Sequence, residues 1–268
     1  MSVAVCIKWV DPRPDIDPLT GAIHTDPRTS AASAADDAAL EWALRTGAPL
    51  RAVTAGPAGA EAVLRTALAA GATDAVRVEL DPSAPSEVVA AALVGALPDD
   101  VDLVLCGAWS TDRGSGSVPA FLAARLGAAQ ALGLISLDYQ GRPDMVRAER
   151  RLDKGRRERL SIGLPAVLSV EGGSARLRRA TLSGTLAAKA AAITVLPGPV
   201  AHVAAVRRVP FRPRPRVLPP PAGHSPRERI LALTGALSDR TPPQRLVLDP
   251  GPAADRILAQ LRAWGYVS

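Results

Sequence analysis

Aromatic residues are scarce in this chain: Phe, Trp and Tyr make up only 3% of its 268 residues, although 47% are hydrophobic. A core built from such a sequence has to consist mainly of Ala, Val and Leu, which suits helices packed closely on a parallel sheet. The length allows one large α/β domain with an extension.

Cysteine and histidine are also rare. Cys6 and Cys106 each lie in an apolar, strand-like run and show neither a disulfide framework nor a metal-ligand spacing. His24, His202 and His224 are scattered, with no Cys or carboxylate cluster beside them. We therefore expect two buried thiols and no metal site.

Long apolar runs and a basic patch are missing as well. No run reaches the roughly 18 residues that a membrane span needs, and the first residues lack a signal-peptide layout, so we expect a cytoplasmic protein without a membrane span. The net charge is +6, but the basic residues are spread along the chain and are not interleaved with aromatic residues. We therefore expect no nucleic-acid binding and favour an acidic protein partner.

Apolar runs alternate with helical patterns through the first half of the chain. Strands are predicted over residues 3–10, 50–54, 75–80 and 102–106. Helices are predicted over 36–46 with Ser33 as N-cap, over 59–70, over 86–97, and after Val118 to about Gly127. Such alternation implies right-handed crossovers and a doubly wound, mostly parallel sheet.

The pattern changes twice further on. Residues 132–170 read as shorter strands with turn residues at 140–143 and 153–155, which predicts an antiparallel hairpin portion. Beyond Val200 six prolines fall within 210–221, so an extended arm follows. Two helices are predicted after it, one from Ser225 to about Leu237 and one over residues 253–264. The chain is thus divided into 1–200, an α/β domain, and 201–268, an arm with C-terminal helices.

The loop over residues 107–118 is a candidate ligand site. Ligands of open parallel sheets bind at the carboxyl ends of strands where the winding direction changes, and this loop follows a predicted strand. Small residues allow close approach to the backbone, and the next helix would direct its amides at a phosphate. The loop is neither a Walker A loop nor GxGxxG, and an ordinary flexible loop remains an alternative. Its candidate residues are Gly107, Trp109, Asp112, Gly114, Ser115, Gly116, Ser117 and Val118.

Two other segments carry a family resemblance. Residues 56–58 and 64–72 read GPA and LRTALAAGA, and residues 164–167 read LPAV, followed by Arg178, by ATL at 180–182 and by Lys189. This combination resembles the electron transfer flavoprotein β-subunit family. Two family motifs differ here: the N-x-P-R-Y core is ARLRR at 175–179, and Trp109 replaces a glutamine.

The resemblance implies a fold of the adenine nucleotide α hydrolase type and an electron-transfer subunit without catalytic residues of its own. The implied partners are an α subunit, which holds the redox-active FAD and contacts residues 201–268, and a flavin- or mycofactocin-dependent dehydrogenase. The implied nucleotide is AMP, or a second FAD as in bifurcating members. Besides the loop, the implied nucleotide site contains Cys6, Lys8, Ser33, Ala34, Asp36 and Ala55. The implied docking residues are Ala175, Arg176, Leu177, Arg178, Thr181 and Leu182.

Other functions remain open at this point. The chain could be an adenine nucleotide α hydrolase that uses ATP, although it lacks an S-G-G-x-D-S loop, or a nucleotide sensor of the universal stress type. No Cys/His pair, G-x-S-x-G element or carboxylate dyad stands in a recognisable catalytic motif. Leu182 could also be an ordinary core leucine.

Overall fold

The computed structural model describes residues 1–139, 144–199, 220–221, 223–234 and 245–267. The chain divides into two units, residues 1–211 and 212–268. The predicted boundary at residue 200, most of the proline-rich arm and the predicted turn at 140–143 lie outside the described residues.

The first unit alternates strands and helices as its sequence predicts. Its strands are β1 (Val3–Cys6), β2 (Asp15–Ile16), β3 (Ile23–His24), β4 (Leu50–Gly56), β5 (Asp74–Glu79), β6 (Leu103–Gly107), β7 (Ala129–Asp138), β8 (Met145–Arg151), β9 (Arg157–Gly163), β10 (Ala166–Val170) and β11 (Thr194–Pro197). Its helices are α1 (Ala34–Arg45), α2 (Glu61–Ala70), α3 (Ser86–Val94), α4 (Val118–Leu126) and α5 (Leu182–Ala190).

Within the described residues, nine strands form one sheet in the order β11-β5-β4-β1-β6-β10-β7-β8-β9. The strands from β11 to β7 run parallel, and β8 and β9 pair antiparallel at one edge. The predicted doubly wound α/β fold with an antiparallel hairpin portion is confirmed.

Small aliphatic side chains fill both faces of this sheet. One face carries Val3, Val5 and Leu105 under α1 and α2, and the other carries Ala4 and Val53 under α3 and α4. Because so few of these side chains are aromatic, many core positions are alanine, and helices can lie close to the strands.

Three elements differ from the sequence prediction. The first strand ends at Cys6 instead of Val10, since the chain leaves the sheet there, and the predicted loop over 11–30 contains the small hairpin β2–β3. β10 is an inner parallel strand between β6 and β7, not part of the antiparallel region. β11, which sequence reasoning missed, pairs with β5 at the far edge.

The second unit contains α6 (Pro226–Thr234) and α7 (Pro250–Ala263) in its described part. Neither helix has a buried side chain among its described residues. Apolar side chains such as Ile230, Ile257 and Trp264 are exposed. Within the described ranges, no helix combines the length and apolar character that crossing a membrane would require.

Candidate functional site

The winding direction of the sheet reverses between β1 and β6. From β1 the chain adds β4 and then β5 on one side, and after α3 it crosses to β6 on the other side of β1. The carboxyl ends of β1 and β6 therefore border the crevice in which open α/β sheets bind ligands. The candidate loop over residues 107–117 leaves β6 at this place, and Lys8 follows β1 beside it.

An ion pair joins the two strand ends. Lys8 Nζ lies 2.5 Å from Asp112 Oδ2, and both side chains are about one-third exposed. Burial acts to raise the pKa of Asp112, but hydrogen bonds from Lys8 and Ser110 outweigh it and lower that pKa. The predicted residues Lys8 and Asp112 are thus brought together.

Asp36 is a buried carboxylate at the start of α1. Ser33 Oγ accepts from the Asp36 N–H at 3.1 Å, and Asp36 Oδ2 accepts from the Ser33 N–H at 3.3 Å, which makes a capping box. The Lys8 N–H donates to the same Oδ2 at 3.4 Å. Burial raises the pKa of Asp36 to about 6, although the hydrogen bonds from Ser33 and Lys8 oppose this shift.

Two glycines lie where a Cβ would crowd its neighbours. A Cβ on Gly107 would lie 2.6 Å from Asp36 Oδ1. Gly116 has φ +59°, and a Cβ there would lie 2.5 Å from the Ala108 carbonyl oxygen. The loop can therefore fold back on itself only with glycine at position 116.

The loop is held from outside and leads into an uncapped helix. Arg113 donates to the carbonyl oxygens of Ala84 at 2.7 Å and Pro82 at 2.9 Å. The hydroxyls of Ser115 and Ser117 lie 3.1 Å apart, and Ser117 makes no side-chain cap on α4. Pro119 has no N–H, so at the start of α4 the Val118 and Ala120 N–H groups are the ones available to an anion.

The other predicted nucleotide-site residues differ in accessibility. Cys6 is buried beside Cys106, its partner in the sheet register. A hydrogen bond between the thiols, together with burial, raises the pKa of Cys106. Cys6 could therefore meet a ligand only through its backbone, and Ala55 is half-buried in β4. Ala34 and Trp109 are exposed.

The predicted docking residues divide into anchored and exposed ones. We call residues 172–181 the docking segment. Arg178 Nε and Nη2 donate to the two carboxylate oxygens of Glu41 at 3.0 and 3.2 Å. Ala175 and Leu177 pack against the core, whereas Arg176 is exposed.

Leu182, at the start of α5, is 78% exposed, and Leu186 one turn later is 59% exposed. The alternative that Leu182 is a core leucine is therefore wrong. Thr181 Oγ1 accepts from the Gly184 N–H at 3.0 Å and caps the helix. Arg65 on α2 donates to the Ala188 carbonyl at 2.6 Å, which holds α5 on the unit.

Sequence reasoning missed three residues that shape this region: Glu41, Arg113 and Gly172. A Cβ on Gly172 would lie 3.1 Å from the backbone of Ala34 and Ala35. Glu41 could have been singled out from the sequence, because it is a charged residue on the otherwise apolar face of α1. Nothing in the local sequence marks Arg113 or Gly172. The described residues contain no group of three or more His, Cys, Asp or Glu side chains that could hold a metal ion.

Comparisons with known proteins agree with this architecture. The sequence model of the electron transfer flavoprotein domain family matches residues 21–201. The electron transfer flavoprotein subunit beta of Mycobacterium tuberculosis is 36% identical over 148 residues, which cover 54% of each chain.

Two further relatives come from distant organisms. The human electron transfer flavoprotein subunit beta is 33% identical over 54% of this chain and 58% of its own. The acryloyl-CoA reductase electron transfer subunit gamma of Anaerotignum propionicum is 30% identical over 58% of this chain and 62% of its own. The chain spans about half the length of the curated relatives that it matches. It belongs to the electron transfer flavoprotein family, and it is similar to β subunits of that family.

Proposed function

We propose that the chain is the β subunit of a heterodimeric electron transfer flavoprotein that binds AMP structurally in the crevice between β1 and β6. The observation that carries this proposal is the loop at the sheet's switch point. Gly116 lets that loop fold back on itself, and the Lys8 ammonium lies beside the loop at Asp112. The amides at the start of α4, which no side chain caps, follow the loop. These groups fit a single phosphate on a nucleoside.

The charge balance of the crevice favours a monophosphate over a triphosphate. Lys8 is already paired with Asp112, and Asp36 contributes a second carboxylate close by. Arg113 is turned away and bonded to backbone carbonyls. Four negative charges of ATP would meet these carboxylates, so the ATP-hydrolase and stress-sensor alternatives are less well supported.

The redox chemistry would be supplied by FAD held mainly by an α subunit, and this chain would act as an electron carrier subunit without catalytic residues. Its own residues would bind the nucleotide, complete the heterodimer and present the docking segment. The partner at that segment would be a flavin- or mycofactocin-dependent dehydrogenase, and the heterodimer would carry electrons from it to a downstream acceptor. Exposed Leu182 and Leu186 support this role because buried apolar anchors dominate protein interfaces.

Co-expression with the α subunit tests the proposal. Native mass spectrometry of the purified complex should show one α chain, one copy of this chain, one FAD and one AMP. Stoichiometric FAD bound to this chain alone would indicate a bifurcating-type site instead of the AMP site. A chain that hydrolyses ATP and forms no complex would contradict the proposal.

A further inference from the structure

Helix α1 is shared by the two predicted sites. Its first turn, with Ser33 as cap and Asp36 inside it, borders the crevice. Its next turn carries Glu41 and Trp42, which contact the docking segment. Positions 36 and 41 are about 7.5 Å apart along the helix axis at 1.5 Å per residue. The two regions are therefore neighbours on one rigid element.

The end of β10, just before the docking segment, contacts the nucleotide loop. The Ala108 N–H donates to the Val170 carbonyl at 2.9 Å, which joins the loop after β6 to the end of β10. Two residues later the chain passes so closely over Ala34 and Ala35 that a Cβ on Gly172 would lie 3.1 Å from their backbone. A shift of the loop or of the α1 N-terminus would therefore displace the segment's first residues.

Glu41 holds the middle of the segment. Its side chain is 7% exposed and accepts from the backbone N–H of Arg178 at 3.1 Å, as well as from the Arg178 guanidinium. Burial acts to raise the pKa of Glu41, but hydrogen bonds from Arg178 and Arg45 outweigh it and lower that pKa. A bidentate pair with a buried carboxylate fixes geometry more strongly than a pair of two fully exposed side chains does.

A second bond fixes the segment beside the first. Trp42 Nε1 donates to Ser174 Oγ at 3.2 Å. Ser174 and Arg178 are thus both bound to α1, whereas Arg176, Arg179 and Ala180 are exposed.

We propose that Glu41 is a positioning residue for the docking segment, and that AMP bound at the start of α1 orders the segment through this helix. The second part rests on the proposed function. Glu41 would act through Arg178, to which its carboxylate is bound, and not by touching AMP or the dehydrogenase itself. Linkage is reciprocal. The free energy by which bound AMP favours the ordered segment therefore equals the free energy by which the ordered segment favours AMP binding.

Hydrogen exchange of the Arg178 amide reports this directly, since that N–H donates to Glu41. Exchange is measured in the full-length heterodimer, free of nucleotide and saturated with AMP, and AMP affinity is measured separately by calorimetry. In the native protein AMP should slow exchange of this amide at least fivefold. In Glu41→Gln the amide should exchange at least tenfold faster, AMP should no longer slow it, and AMP affinity should fall severalfold.

Arg45→Gln is the matched control. Arg45 Nε also donates to Glu41, at 3.0 Å, but it belongs to α1 and not to the segment. This variant should keep the AMP-dependent slowing. Arg178→Gln breaks the same ion pair by changing the half-exposed partner. It therefore tests the positioning role even if Glu41→Gln folds poorly. The double variant Glu41→Gln/Arg178→Gln should lose no more amide protection at residue 178, and no more AMP affinity, than either single variant.

The outcomes separate the two proposals. Absence of AMP binding to the native heterodimer would overturn the proposed nucleotide site, while fast exchange in Glu41→Gln would still support the positioning role. AMP binding with unchanged Arg178 exchange would overturn the link between the sites. Slow exchange in both Glu41→Gln and Arg178→Gln would overturn the positioning role itself.

Discussion

Asp36 opposes folding at neutral pH. Its folded-state pKa of about 6 lies above the ordinary 3.8, so the folded state binds more protons between these two values. Stability contributed by this group is therefore greatest below about pH 4 and decreases as the pH rises through 6. The difference corresponds to on the order of 2 to 3 kcal/mol.

Asp36→Asn should remove this pH dependence, because an amide still accepts from the Ser33 N–H but does not ionise. Relative to the native chain, the variant should gain on the order of 2 kcal/mol between pH 4.5 and pH 7.5 in urea unfolding. Asp15→Asn on the exposed β2 strand controls for the change in net charge. A constant difference across this range would show that Asp36 is not the titrating group.

Gly116→Val should reduce nucleotide occupancy more than it reduces stability. The substitution places an L side chain at φ +59° and against the Ala108 carbonyl, so the loop must move. Gly47 has φ +69° but open space around a Cβ, so Gly47→Val carries the conformational penalty without the clash. Both variants should melt at similar temperatures, and only Gly116→Val should lose more than tenfold in AMP occupancy by native mass spectrometry. Unchanged occupancy in a folded Gly116→Val complex would contradict the loop assignment.

Individual residues could be predicted where their type alone decides the local structure. Ser33 is a good N-cap by its hydroxyl, and it caps α1 as predicted. The burial of the Cys6 thiol was predicted, although it keeps the side chain of this implied nucleotide-site residue away from a ligand. It follows from strand alternation, which directs Cys6 to the same face as Ala4. Glu41 could not be paired with Arg178 from sequence, because the two are 137 residues apart.

At the scale of elements, α5 presents its apolar side chains outward while its other side is fixed. A Cβ on Gly184 would lie 2.8 Å from the Ala69 carbonyl oxygen, so α5 lies close against α2. Such a fixed helix loses little conformational freedom when Leu182 is buried by a partner.

Leu182→Ala should therefore slow electron transfer from the dehydrogenase that co-purifies with the heterodimer at least tenfold. A central anchor contributes on the order of 2 kcal/mol or more to binding, while an exposed leucine contributes little to folding. Melting temperature, nucleotide content and α-subunit pairing should stay nearly unchanged. Leu168→Ala, in the fully buried strand β10, should instead lower stability by roughly 2 to 5 kcal/mol. Unaltered transfer in Leu182→Ala would place the docking surface elsewhere.

Elements with local signals were predictable and those with distant partners were not. The helices α1 to α4 follow from apolar spacing, caps and terminal glycines such as Gly71 and Gly127. β11 is a short strand ending in Pro197, and only its pairing with β5 makes it a strand. The local pattern predicts β10 as part of the hairpin region, because its parallel neighbour β6 lies about sixty residues earlier and leaves no local signal.

At the scale of the whole molecule, the two units differ in how they bury apolar surface. The first unit has an extensive core on both faces of its sheet. The described helices of the second unit expose Ile230, Leu233, Ile257 and Trp264. Exposed large apolar side chains that gather in one unit indicate an interaction surface or an aggregation site.

Removing residues 212–268 should separate the folding of the core from the exposed apolar surface of the second unit. Because the described core lies in the first unit, a chain of residues 1–211 should fold with a melting temperature within a few degrees of the full chain. It should stay monomeric in size-exclusion chromatography.

The isolated full chain should be colourless and aggregate, since α6 and α7 would have no partner to cover them. Co-expressed with the α subunit, the full chain should yield a yellow heterodimer and the shortened chain should not. A stable yellow complex with the shortened chain would place the α-subunit interface within the first unit, whereas failure of the shortened chain to fold would show that the second unit completes the core.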